Sequence, residues 1–152
     1  MEVPWAPYGG LYWHRSALER TGLPEERLFV YADDTEYTYR FTARGGRIFL
    51  LGTSRVDDLD QSWNTNEKRA LWFLSYLTSP SDRLVYFSIR NNVWFESQFR
   101  QGSPLVYALN RRFMLALLWF FARRQGRAGR YRLISKAVAD GLAGRLGIEF
   151  TV

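Results

Sequence analysis

The chain contains no cysteine among its 152 residues. That absence removes disulfides, thiolate metal ligands and a cysteine nucleophile together, and it suits a reducing compartment. Histidine is nearly as scarce. His14 is the sole imidazole, and beside Arg15 at the end of a short apolar stretch it reads as an exposed polar residue rather than a ligand. No apolar run reaches the roughly 18 to 20 uninterrupted residues needed to cross a bilayer. The first residues, with Pro4, Trp5 and Pro7, read as neither a signal nor a transit peptide. Internal repeats, low-complexity segments and RNA- or DNA-binding motifs are also lacking, so no nucleic-acid partner is expected.

What is present is a globular composition, 47% hydrophobic, with an aromatic share of 17%. The length fits one domain or a large part of one. The net charge of +6 is unevenly spread. Residues 1–75 hold 9 Lys/Arg against 11 Asp/Glu, whereas residues 76–152 hold 12 against 4. An acidic half is thus joined to a basic half, and the basic half is expected to meet an anionic partner.

The acidic half centres on residues 28–39, LFVYADDTEYTY. Asp33, Asp34 and Glu36 repel one another, and Phe29, Tyr31, Tyr37 and Tyr39 crowd them. Carboxylates held among aromatics are suited to proton abstraction, to orienting sugar hydroxyls, or to a divalent metal. The plainer reading is a helix N-terminus, where aspartate is favoured. A helix from Asp33 or Asp34 to about Ala43, ended by Gly45 and Gly46, puts the carboxylates in its first turn, where the helix dipole is expected to lower their pKa.

Other elements follow from pattern. Ser16 with Glu19 spells a capping box for a helix over 17–21, stopped by Gly22 and Pro24. Strands are expected at 10–13, at 47–51 and at 55–59. Residues 61–66 read as loop, 67–77 as a helix, and 84–99 as another, whose Val, Tyr and Ile content also fits a strand at its start.

The order of these pieces resembles the second half of a family 2 glycosyltransferase domain of the GT-A type, nearest to rhamnosyl- and galactofuranosyl-transferase-like members. The matching pieces are Gly9-Gly10-Leu11, the Gly22-Leu23-Pro24 helix end, Asp33-Asp34-x-Glu36-Tyr37, and Arg90-Asn91. The run from Asp140 to Gly147, Asp-Gly-Leu-x-Gly-Arg-Leu-Gly, belongs with them. The resemblance implies an α/β fold, a partial GT-A domain with a small mixed sheet and flanking helices, followed by a basic helical region. It sets an acceptor and catalytic-base part over 1–100 and the basic region over 101–152. The donor-binding half of such a domain is expected to be missing, since Asp58-Leu59-Asp60 follows the acidic block and reads as a loop.

By the same resemblance Asp34 is the general base and Asp33 its neighbour. Trp5, Gly9, Gly10 and Glu36 are substrate-binding residues, although Glu36 is also placed to pair with Arg40 at i+4. Asp57 stands where relatives carry a metal-binding histidine, and an aspartate suits Mg²⁺ or Mn²⁺. The implied function is transfer of a sugar from a nucleotide sugar to a glycan or lipid-linked acceptor, incomplete without the donor half. The alternative is a non-catalytic glycan- or membrane-binding remnant, and self-association stays open.

Residues 105–122 are strongly apolar, broken by Arg111 and Arg112, and followed by Arg123, Arg124, Arg127, Arg130, Arg132 and Lys136. Either this is a helix packed on the domain, or it lies in the headgroup layer with Trp119, Phe120 and Phe121 buried in lipid. The basic residues favour an anionic membrane surface, which makes the protein cytoplasmic and peripheral on the inner face of the plasma membrane.

Overall fold

The computed structural model describes residues 1–57, 72–99 and 102–150. Asp58-Leu59-Asp60, the 61–66 loop and residues 67–71 of the expected 67–77 helix lie outside the described residues, while 72–77 are helical. The chain divides into two compact units, Met1–Asp60 and Gln61–Val152. The sequence boundary at 100/101 thus falls inside the second unit.

The first unit is organised around one helix, α2 (Asp33–Ala43). Gly45 at φ +82° ends it, and the Gly46 N–H returns to the Phe41 carbonyl at 3.0 Å. A short helix, α1 (Arg15–Thr21), packs on α2. Only seven residues long, α1 has little intrinsic stability, because helix nucleation is costly. Its last carbonyls are held from α2 instead. Arg40 donates to Thr21 and Leu23, Arg44 to Arg20 and Thr21, and the Tyr37 hydroxyl to Gly22. Cationic donors at a helix C-terminus satisfy its orphan carbonyls and oppose its dipole. The capping box does not form. His14 is the N-cap, its Nδ1 accepting from the Ser16 N–H at 3.3 Å.

Strand β1 (Glu2–Val3) pairs antiparallel with β2 (Ile48–Phe49), Glu2 opposite Phe49 and Val3 opposite Ile48. Residues 10–13 and 55–57 form no strand, and 47–51 contributes only those two residues. The α/β GT-A expectation is therefore wrong: among the described residues helix makes up 61% and strand 3%, in one two-stranded ribbon. Alternating apolar residues specify a strand only when a partner covers one face, and an isolated pair of strands is marginal. This is a small helical protein.

The second unit holds α3 (Ser75–Thr78), α4 (Asp82–Phe99), α5 (Pro104–Arg124) and α6 (Ala128–Leu142). Ser81 caps α4 by accepting from the Leu84 N–H at 3.2 Å. Ser103 does the same for α5 ahead of Pro104, a residue suited to the first helical turn. The core joins Phe73, Leu77, Val85, Leu118, Ala122 and Ile134. The closest packing is α4 on α6, made possible by Gly141, where a Cβ would lie 2.4 Å from the Arg90 carbonyl oxygen.

Candidate functional site

The acidic block heads α2, but the residue before it has an unusual backbone. Tyr31 and Ala32 both have left-handed φ values, +65° and +63°. That region costs a residue with a side chain roughly 1–2 kcal/mol, and such outliers persist only where the surroundings over-determine them. Here they turn the chain sharply enough to open α2 on two adjacent carboxylates. Ala32 is the N-cap and offers no side-chain acceptor.

The residues around this turn are tied down closely. Buried Thr38 receives the Ala6 N–H at 3.1 Å, with the Ala6 and Asp34 carbonyls in reach of its own proton at 3.0 and 2.7 Å. Thr42 donates to the Pro4 carbonyl at 2.7 Å. These contacts clamp the segment 4–8 along α2. The Tyr8 hydroxyl then donates to the Asp33 carbonyl at 3.2 Å.

Asp33 and Asp34 are both half-buried. Burial pushes the Asp33 carboxyl above the usual carboxylate range, and the neighbouring Asp34 charge adds to the effect. The expected lowering by the helix dipole therefore does not hold for Asp33, since desolvation outweighs the backbone N–H groups. Tyr8 shows the same field. Burial, with Asp33 and Asp34 next, raises its hydroxyl to about 12. Asp34 accepts from the Thr35 N–H at 2.6 Å and from the Thr35 hydroxyl at 3.2 Å, which fixes one of its oxygens.

Glu36 has a different role. Its side chain is 4% exposed and grips Arg40 at 2.8 Å. The i,i+4 contact available in the sequence is made, and the Glu36 carboxylate holds the guanidinium that secures α1. Asp57 is exposed and paired with Arg55 at 2.8 Å. Among the described residues no three His, Cys, Asp or Glu side chains gather as metal ligands. Asp57 therefore stands with an arginine, and not with other carboxylates, among the described residues.

Beside the carboxylates runs a row of rings. Tyr8 meets Tyr37 at 6.2 Å, Tyr37 meets Trp13 at 5.3 Å, and Trp13 meets Phe41 at 5.0 Å. Trp13 and Phe41 form part of the wall of a cleft of about 780 Å³. Gly9 and Gly10 line it too, with His14, Arg20 and Arg47, whereas Asp33, Asp34, Glu36 and Trp5 do not. At Gly10, φ +74°, a Cβ would stand 2.6 Å from Val56, so the close approach requires glycine. The structure thus brings Asp33, Asp34 and Tyr8 together. It sets Gly9 and Gly10 in the cleft wall and Trp5 outside it.

No family model, curated protein or solved structure matches this chain. The functional reading rests on the geometry and on the residue pattern alone.

Tyr8 and Thr38 escape a reading of the sequence. Tyr8 lies 25 positions from the Asp33 carbonyl it meets, and nothing local marks a threonine within a helix as a clamp. Two motifs that carry the family resemblance prove structural instead. Arg90 and Asn91 on α4 are buried, and Arg90 reaches the Gly147 carbonyl at 2.8 Å. Asp140, at the start of the second motif, receives hydrogen bonds from Tyr86, Lys136 and Arg145.

Proposed function

We propose that this protein acts in glycosyl transfer, and that its first unit receives the acceptor sugar at Asp33, Asp34 and Tyr8. The observation that carries this reading is the pair of half-buried carboxylates opening α2 on two consecutive left-handed residues. Strain of that kind is tolerated where a site needs it. The order of Gly9-Gly10 and Asp33-Asp34 supports the same chemistry by resemblance.

In this scheme Asp34 accepts the proton of an acceptor hydroxyl as that oxygen attacks the anomeric carbon of a nucleotide sugar. The bond to the diphosphate breaks, and the nucleoside diphosphate leaves with the electron pair. Asp33 holds a neighbouring hydroxyl through its own carboxyl. Tyr8, exposed beside Asp33, offers an aromatic face to the apolar side of a pyranose or furanose ring. The acceptor class is a glycan or lipid-linked glycan, and the donor a nucleotide sugar.

The test is transfer from labelled nucleotide sugars to oligosaccharide acceptors, read by mass spectrometry beside NMR titration of the same acceptors. Asp34→Asn is expected to keep acceptor binding and to lower turnover by about 100-fold or more. Unchanged turnover in that variant removes Asp34 as the base. Acceptor binding with no turnover in the unaltered protein favours the non-catalytic glycan-binding reading.

A further inference from the structure

Helix α5 carries apolar residues on both of its sides. The side facing the unit is apolar, as expected, with Leu118 and Ala122 buried and Met114, Leu115, Leu117 and Phe121 packed against the core. The opposite side of a surface helix is normally polar. Here the exposed stripe runs through Leu105, Val106, Leu109, Phe113, Trp119 and Phe120. Those positions recur at helical spacing along most of a helix about 30 Å long. Phe113 is 67% exposed and Trp119 47%. A continuous apolar stripe of this length on a surface marks an interaction site.

The charges along its edges indicate the partner. Arg112 interrupts the stripe, and Arg123 and Arg124 end it. None of the three has a carboxylate partner among the described residues. Arg123 lies over Trp119 at 5.3 Å and Arg124 over Phe120 at 4.6 Å. Ring and guanidinium thus form a unit with an apolar body and a cationic end, the arrangement favoured where hydrocarbon meets headgroups. Of the other basic residues that the sequence groups with these, Arg132 is exposed on α6 and three are engaged internally. Arg127 donates to the Leu77 carbonyl, Arg130 pairs with Asp82, and Lys136 with Asp140. Phe121 likewise faces the core and not the stripe.

By length and composition alone α5 could cross a membrane. Two features oppose crossing. Arg111 and Arg112 stand near its middle, where each charge is strongly disfavoured in hydrocarbon, and its other side is held by the core of the unit. We propose that α5 lies flat in the surface of an anionic bilayer, with the Leu105–Phe120 stripe among the acyl chains and Arg112, Arg123 and Arg124 at the phosphates.

The experiment is co-sedimentation of the full chain with phosphatidylcholine vesicles, with and without phosphatidylglycerol, at low and high salt. Binding is expected to the anionic vesicles only and to fall as salt screens the arginines. Arg112→Gln, Arg123→Gln and Arg124→Gln together should weaken it about 100-fold, each cation near an anionic surface contributing about fivefold. Phe113→Asp should abolish it while leaving the helical circular dichroism unchanged, because Phe113 makes no part of the core. Lys136→Gln, outside the stripe, keeps binding within twofold and serves as the charge control. Equal binding to neutral and anionic vesicles overturns the proposal, and so does no binding to either. A dimer in light scattering that Phe113→Asp dissociates also overturns it, since the stripe is then covered by a second copy.

Discussion

Tyr86 on α4 donates its hydroxyl proton to Asp140 on α6, a buried hydrogen bond between residues 54 positions apart. Lys136 and Arg145 bind the same carboxylate, at 2.9 and 2.7 Å. Burial would by itself raise the Asp140 carboxyl, but these three donors reverse the balance and bring it down to about 2. With the folded value below the unfolded one, the ionised carboxylate stabilises the protein above about pH 4. That contribution is lost as pH falls from about 4 through about 2. At 8% side-chain exposure, screening by solvent is small, and the stabilisation amounts to about 2 kcal/mol. Urea denaturation followed across that range should show the loss, and Asp140→Asn should flatten it while lowering stability at pH 7.

The same helix pair depends on a missing side chain. Gly141 lets the α6 backbone approach the Arg90 carbonyl, and Val93 would meet an added Cβ at 3.0 Å. Neither neighbour can yield: the first is helical backbone and the second is a β-branched side chain with one preferred rotamer. Gly141→Ala gains helix propensity of about 1 kcal/mol, yet overpacking costs about 1–3 kcal/mol, and a clash with backbone lies at the upper end. A net loss of about 1–2 kcal/mol is expected in denaturant melts, with exchange of the α4 and α6 amides accelerated together.

Helices were the legible part of this sequence. The acidic opening and the Gly45-Gly46 stop bound α2 correctly, and the apolar run over 105–122 falls within α5. Strands were not legible, because residues 47–51 alternate as a covered strand does, yet only Ile48 and Phe49 find a partner in β1. A period-two pattern reports which faces are apolar, not whether another strand is present to pair. At the site, chemistry could be read and geometry could not. Asp33 and Asp34 stand out by composition. The left-handed turn that presents them passes through Tyr31 and Ala32, residues that give no sign of positive φ, where glycine or asparagine would. Asp33 is raised by burial in the folded chain, which lies beyond the reach of any local dipole argument.

That segment is pinned chiefly by one hydroxyl. Thr38 is fully buried and satisfies the Ala6 N–H across 32 positions. Thr38→Val preserves the shape but leaves the Ala6 N–H without an acceptor. A buried donor left unpaired costs about 1–3 kcal/mol; the Ala6 N–H is half-buried, so stability of the first unit should fall by about 1 kcal/mol. Hydrogen exchange separates this from a global effect. The amides of 4–8 and α2 should lose protection while those of α6 keep theirs.

Ala32 permits a test of the strained turn itself. Its Cβ is buried and its φ is +63°. A β-branched residue is the least tolerant of that conformation. Ala32→Val should cost about 2 kcal/mol or more through strain and overpacking. Because the turn aims Asp33 and Asp34, acceptor binding should weaken in the folded fraction as well. Unaltered binding in that fraction would separate the carboxylates from the turn.

The last expectation concerns Asp33. Its carboxyl is raised above the ordinary value by burial and by the charge of Asp34. A carboxylate whose folded pKa lies above its unfolded one opposes folding once ionised. Its effect is absent at low pH, where both states are protonated, and it appears as pH rises through the window between the two values. At neutral pH the first unit therefore carries an unfavourable charge at the head of α2. Asp33→Asn removes that charge and keeps the shape, so protection of the α2 amides at pH 7 should increase, and the dependence on pH across the acid range should diminish. Residues retained at a cost to stability are the usual mark of a working site. If the stabilised variant also loses acceptor binding, the cost serves recognition. A stabilised variant that binds every acceptor as before would return Asp33 to the role of a helix-opening residue.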